Sequence, residues 1–89
     1  MMEKVFTVRN KLGLHARPAA LFVQTTGRFK SSVKVSKGDQ EVDGKSIMGL
    51  MMLAAEEGAS VTVRAEGSDE KDVLSALERL FLNRFDEKE

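Results

Sequence analysis

The sequence predicts an α+β fold, a four-stranded antiparallel sheet with three helices on one face, and three observations carry that expectation. Val5-Phe6-Thr7-Val8, Ser32-Val33-Lys34-Val35-Ser36 and Val61-Thr62-Val63-Arg64-Ala65 alternate apolar and polar side chains, the period of half-buried strands. Ala19, Phe22, Val23 and Thr26, and later Val73, Leu74, Leu77, Leu80 and Phe81, recur at the spacing of one buried helix face. The two patterns interleave in the order βαββαβα. Strands wet on alternate positions need a single covering layer, which places the helices together on one side of the sheet.

Along the chain, Phe6 and Val8 face inward from the first strand, and Arg9 through Gly13 is a polar loop. The first helix runs to about Thr26, where Gly27 stops it as a C-cap. Ala16, Arg17, Ala20 and Gln24 lie on its outward side, and Phe29 joins the core. Lys37-Gly38-Asp39 is turn chemistry, with Gln40–Asp43 as the short return strand of a hairpin. After the break at Gly44-Lys45, Ser46 caps a short helix over Ile47–Ala55, ended by Glu56-Glu57-Gly58. The last strand follows, and then Gly67-Ser68-Asp69-Glu70 turns into a final helix with acids in its first turn. The tail Asp86-Glu87-Lys88-Glu89 is charged and expected to fray.

Size and composition bound the function. The 89 residues are read as one domain, long enough to bury about 60–65% of the surface of its unfolded chain. With no cysteine and 1 histidine, neither disulfides nor a zinc site is expected, and no cofactor motif is present. The 14 basic and 14 acidic residues cancel. Without Trp or Tyr there is neither a basic stripe nor a stacking platform for nucleic acid. Met1-Met2-Glu3-Lys4 leads straight into a strand pattern, so no signal peptide is expected. The longest uncharged apolar run, Ile47 to Ala55, falls far short of the ~20 residues a membrane helix needs. These features point to a cytoplasmic monomer.

Chemistry concentrates in Gly13-Leu14-His15-Ala16-Arg17-Pro18-Ala19-Ala20, which holds the single histidine and the single proline. Proline is at home in a first helical turn, where its missing N–H would find no partner. His15 then sits at or beside the N-cap, with the unpaired amides of Ala16 and Arg17 just beyond it. Such amides, with the positive end of the helix dipole, form a ready anion site. Arg17 adds a cation able to fork onto two phosphate oxygens. Imidazole titrates freely at ~6.5, and the positive helix end favours its neutral form, keeping a lone pair available. The combination suggests a histidine that carries a phosphoryl group.

The run at 13–20 resembles the active-site signature of the HPr family, the histidine-containing phosphocarriers of the bacterial phosphotransferase system. Gly44-Lys45-Ser46-Ile47-Met48-Gly49-Leu50-Met51 is similar to that family's second signature, in matching register. The resemblance implies an open-faced β-sandwich with strand order 1-4-2-3. It implies a phosphoryl group accepted on His15, through Nδ1, from enzyme I and passed to enzyme IIA proteins. The chain would then be a covalent carrier rather than an enzyme. At the position of Ser46, some members are phosphorylated by an ATP-dependent kinase, and the resemblance adds a serine kinase/phosphorylase and a transcriptional regulator to the partners it implies for this chain.

The segment 47–55 is informative without the family. Ile47, Leu50 and Leu53 satisfy the one face a short helix can bury, leaving Met48, Met51 and Met52 without an interior place. Flexible, polarisable methionines on a surface suit successive partners. Met48 and Met51 are expected to flank His15 and to form a docking patch with Leu14, Ala20 and Gln24, and with Ile47 and Met52. A phosphate on Ser46 would set about two negative charges beside that patch. Met52 and Ala54 stand where many sugar-branch members have a smaller polar residue and Gly. Asp43-Gly44 resembles members of a nitrogen-regulatory branch, so both branches stay open. Two other readings compete. One is a regulatory paralogue acting through Ser46 phosphate, although such paralogues usually lack the active histidine. The other is a module holding a passive anion on His15 and Arg17.

Overall fold

In the computed structural model, which describes residues 1–87, strands β1 (Met2–Thr7), β2 (Ser32–Lys37), β3 (Gln40–Asp43) and β4 (Ser60–Glu66) form one antiparallel sheet of order β1-β4-β2-β3. Helices α1 (Ala16–Thr26), α2 (Ile47–Met52) and α3 (Glu70–Leu82) complete the order βαββαβα. The expected open-faced sandwich and its strand order are both present. Register follows burial: Val61 opposes Phe6, Val63 opposes Val35, and Val35 opposes Val42. Because β4 is central, Val61, Val63 and Ala65 are all buried beneath the helices. The β2–β3 hairpin closes through Gly38-Asp39, with Gly38 at φ 59° as a tight hairpin turn requires.

Alternate residues point to the open face of the sheet, where Arg64 reaches Glu3 at 3.2 Å and Glu41 at 3.7 Å. These exposed pairs contribute little. On the covered face, Phe81 of α3 stacks on Phe6 at 4.6 Å and meets Phe22 of α1 edge-on at 6.3 Å. Phe85, beyond α3, packs on Phe81 at 5.0 Å and is fully buried. This aromatic cluster fastens β1, α1, α3 and the C-terminal segment to one another.

Three details depart from expectation. Helix α2 ends at Met52 rather than Ala55: Leu53 is its C-cap and Ala54 turns left-handed at φ 51°. Lys37 Nζ donates to the carbonyls of Leu53 (3.1 Å) and Ala54 (3.2 Å), closing the helix end. Ile47 is exposed, because Leu50 and Leu53 alone fill the buried side of so short a helix. Gly27 is the C-cap of α1 as expected, in right-handed geometry at φ −63°. The tail is not simply frayed: Arg84–Asp86 form a 3-10 turn that buries Phe85, and Glu87 is bonded. Lys88 and Glu89 lie outside the described residues.

Asp69, the N-cap of α3, does not cap with its side chain. Its carboxylate instead accepts from the amides of Lys30 (2.8 Å) and Ser31 (2.9 Å) and from the Ser31 hydroxyl. The Ser31 hydroxyl first, then the Lys30 amide, hold its carboxyl below the usual carboxylate range against a small opposing effect of burial.

Candidate functional site

The loop after β1 is built to fix one ring. Asn10 is fully buried, and its Nδ2 donates to Gly13 O at 2.5 Å while Gly13 N donates to Asn10 O at 3.1 Å. Gly13 takes φ 71° and passes so close to Ala55 that a Cβ there would lie 2.2 Å from Ala55 O. Leu14 N then donates to that same oxygen at 3.0 Å. The loop therefore rests directly on the turn that follows α2.

His15 is the N-cap of α1, with φ −77° and ψ −170°, and its carbonyl accepts the first helical bond from Ala19 N at 3.0 Å. The amides of Ala16 and Arg17 precede any intrahelical acceptor, and Pro18, buried at the third position, has no N–H to satisfy. The imidazole makes no capping bond and is 35% exposed. Its Nε2 lies 2.8 Å from Glu87 Oε2. The other carboxylate oxygen, Oε1, accepts from Asn10 Nδ2 at 2.9 Å. Burial raises the Glu87 carboxyl, but the hydrogen bonds from Asn10 and His15, and the charges of His15 and Arg17, outweigh it and leave the group below its ordinary value. Arg17 is exposed at the same helix end. The imidazole, the first-turn amides and the Arg17 cation, whose charge is felt at Glu87, thus lie at one helix end, which suits an anion.

The structure brings some of the expected docking residues together. His15 shares a shallow hollow with Leu12, Leu14, Met51, Ala54, Ala55 and Glu56. Met51 also lines a second, almost wholly apolar hollow with Ile47, Met48 and Met52, so the two meet at that side chain. Met48 is 74% exposed but does not line the hollow of His15. Leu14 lines the hollow beside His15 and Met51 as expected, but only by its edge, because the turn at Gly13 aims most of the side chain into the core. Ala20 is half-buried and Gln24 exposed, both on α1, which packs against α2. Ser46 is half-buried at the N-cap of α2, where its Oγ accepts from Gly49 N at 3.0 Å.

Glu87 and Asn10 were missed in the sequence. Glu87 sat in a charged run that looked solvated, and the one signal was Phe85, an apolar residue stranded between Arg84 and Asp86. Among the described residues no group of His, Asp and Glu is placed to hold a metal ion, and no helix is long and apolar enough to cross a membrane.

Comparison with known proteins places these observations in a family. Residues 2–83 match the family described as PTS-HPr, PTS HPr component phosphorylation site. The phosphocarrier protein HPr of Xylella fastidiosa is 51% identical over 87 residues, covering 98% of each chain. The HPr-like protein Crh of Halalkalibacterium halodurans is 49% identical over 77 residues, 86% of this chain and 92% of that one. Among solved structures, HPr from Thermoanaerobacter tengcongensis superposes with a TM-score of 0.95 at 46% identity, over the full length of both chains.

Proposed function

The chain belongs to the HPr family of phosphotransferase-system phosphocarriers, and on that premise we propose that its phosphoryl acceptor is His15. The observation that carries this reading is the half-exposed imidazole at the N-cap of α1, at the helix end where the first amides have no intrahelical acceptor and the Arg17 charge is felt at Glu87. Phosphoryl transfer asks mainly for positioning and for charge stabilisation around the equatorial oxygens. The amides and Arg17 supply both to a phosphoryl group on the ring, and the ring supplies the nucleophile.

In this reading enzyme I is the donor and enzyme IIA proteins are the acceptors. All meet the chain, a single cytoplasmic domain over residues 1–89, at the surface around His15 and Met51. Ile47, Met48 and Met52 extend the apolar part of that surface, and Ala20 and Gln24 its α1 side. Transfer leaves the chain unchanged after each cycle, so it acts as a covalent intermediate. Ser46 is the second phosphorylation site: its hydroxyl is committed to capping α2, and modification would replace that bond and charge the edge of the methionine patch.

Phosphorus NMR after incubation with enzyme I and phosphoenolpyruvate tests the reading. A P–N resonance is expected on the wild-type chain and none on His15→Ala. Acid-labile phosphoryl persisting on His15→Ala would refute it, and a signal that merely titrates with free phosphate would identify a passive anion site.

A further inference from the structure

We propose that Glu87 is a positioning residue for the acceptor: its carboxylate holds the His15 ring by Nε2–H, so that the lone pair presented to phosphorus is the one on Nδ1. This rests on His15 being the acceptor, as set out above, but the contacts that carry it do not.

The carboxylate is gripped at both oxygens. Oε2 is 2.8 Å from His15 Nε2, and Oε1 is 2.9 Å from Asn10 Nδ2. Asn10 cannot swing, because it is fully buried and the same Nδ2 is bonded to Gly13 O. Glu87 is therefore tied to the loop that also sets the position of His15. The backbone leading to it is equally fixed. Arg84, Phe85 and Asp86 take φ of 54°, 54° and 60°, a left-handed run without a glycine. Each such residue costs about 1 kcal/mol or more, and a solvated tail would relax out of that conformation. Here the buried Phe85 ring pins it, Glu87 N donates to Arg84 O at 3.0 Å, and the strained turn delivers the carboxylate to the ring.

The chemistry follows from what a carboxylate can do. An ionised carboxylate only accepts, so the nitrogen facing it carries the proton and the other carries the lone pair. Among the described residues Nδ1 has no hydrogen-bond partner. In acceptance, the Nδ1 lone pair forms the N–P bond while the bond from phosphorus to the donor's leaving group breaks, and that electron pair departs with the donor. The Nε2 proton stays in place throughout. The ring becomes cationic as the N–P bond forms, and Glu87 lies where that charge develops. Delivery reverses the step: the N–P bond breaks and its electron pair returns to Nδ1.

The test combines NMR of protein labelled with 15N in its imidazole, at a pH where the ring is neutral, with phosphoryl uptake from phosphorylated enzyme I. In the wild type, the proton is expected on Nε2 as a slowly exchanging signal, with an unprotonated shift for Nδ1. Glu87→Ala is expected to lose that signal to water exchange while its amide spectrum elsewhere stays native, and to take up phosphoryl about tenfold more slowly, the effect of one lost charge-assisted hydrogen bond. Glu87→Gln keeps an acceptor without the charge, so the signal persists and uptake still slows. A wild-type proton on Nδ1, an unchanged imidazole signal in Glu87→Ala, or wild-type uptake by that variant would overturn the proposal. If the wild-type chain never takes up phosphoryl, it is the carrier function that fails, and the nitrogen signals still decide what holds the ring.

Discussion

Replacing Gly13 with alanine tests the joint on which the acceptor loop rests. Gly13 is at φ 71°, where a Cβ costs about 1 kcal/mol by itself. That Cβ would also lie 2.2 Å from Ala55 O and 3.0 Å from Glu56 Cα, both backbone atoms that cannot rotate aside. The two segments have to separate, and the 3.0 Å bond from Leu14 N to the same oxygen is stretched or lost. An unsatisfied buried amide costs about 1–3 kcal/mol, so the total is about 2–4 kcal/mol, a large share of the ~5–15 kcal/mol that holds a domain together. Gly38→Ala is the control: it shares the left-handed backbone at φ 59° but has nothing within 4 Å of its added Cβ, so only the conformational cost of about 1 kcal/mol remains. Urea denaturation of both variants measures the difference. In the same samples phosphoryl uptake should fall by about a hundredfold for Gly13→Ala, as for a reacting group displaced by ~1 Å, and stay at the wild-type level for Gly38→Ala. Equal destabilisation of the two would refute the close approach of loop and turn as the source of the constraint.

Two further outcomes follow from the backbone and the charges. Ala54→Gly should raise stability by up to about 1 kcal/mol in thermal melts, because an alanine at φ 51° carries a strain that glycine lacks; an unchanged or lower melting temperature would contradict this. Asp69→Asn should destabilise at neutral pH. A carboxyl whose folded value lies below its ordinary 3.8 contributes stability above 3.8 that disappears as pH falls through the lowered folded value. The wild-type and Asp69→Asn stabilities should therefore converge in strong acid, and a gap that is constant with pH would show that the ionised Ser31–Asp69 contact is not its origin.

The strands and long helices were legible because each buries one face over its whole length: Phe6 with Val8, Val61 with Val63, and Val73 with Leu77 repeat with the period of their element. The short helix was legible in existence but not in extent. Its apolar run continues to Ala55, and nothing local announces that Ala54 turns left-handed under the hold of Lys37. Ile47 faces outward and Leu14 mostly inward for the same reason, since whether a lone apolar residue faces in or out is decided by the turn beside it. At the candidate site, His15, Arg17 and Pro18 could be placed from helix-start rules alone. Glu87 could not, being separated from His15 by 72 positions and brought back only by the burial of Phe85.

The acceptor loop and the methionine helix are joined without slack, since Gly13 abuts Ala55 and Leu14 is bonded to it. On the function proposed above, a protein that seats itself on Met51 would find the imidazole at an offset set by that joint. One die, its relief already cut, would then serve donor and acceptor in turn.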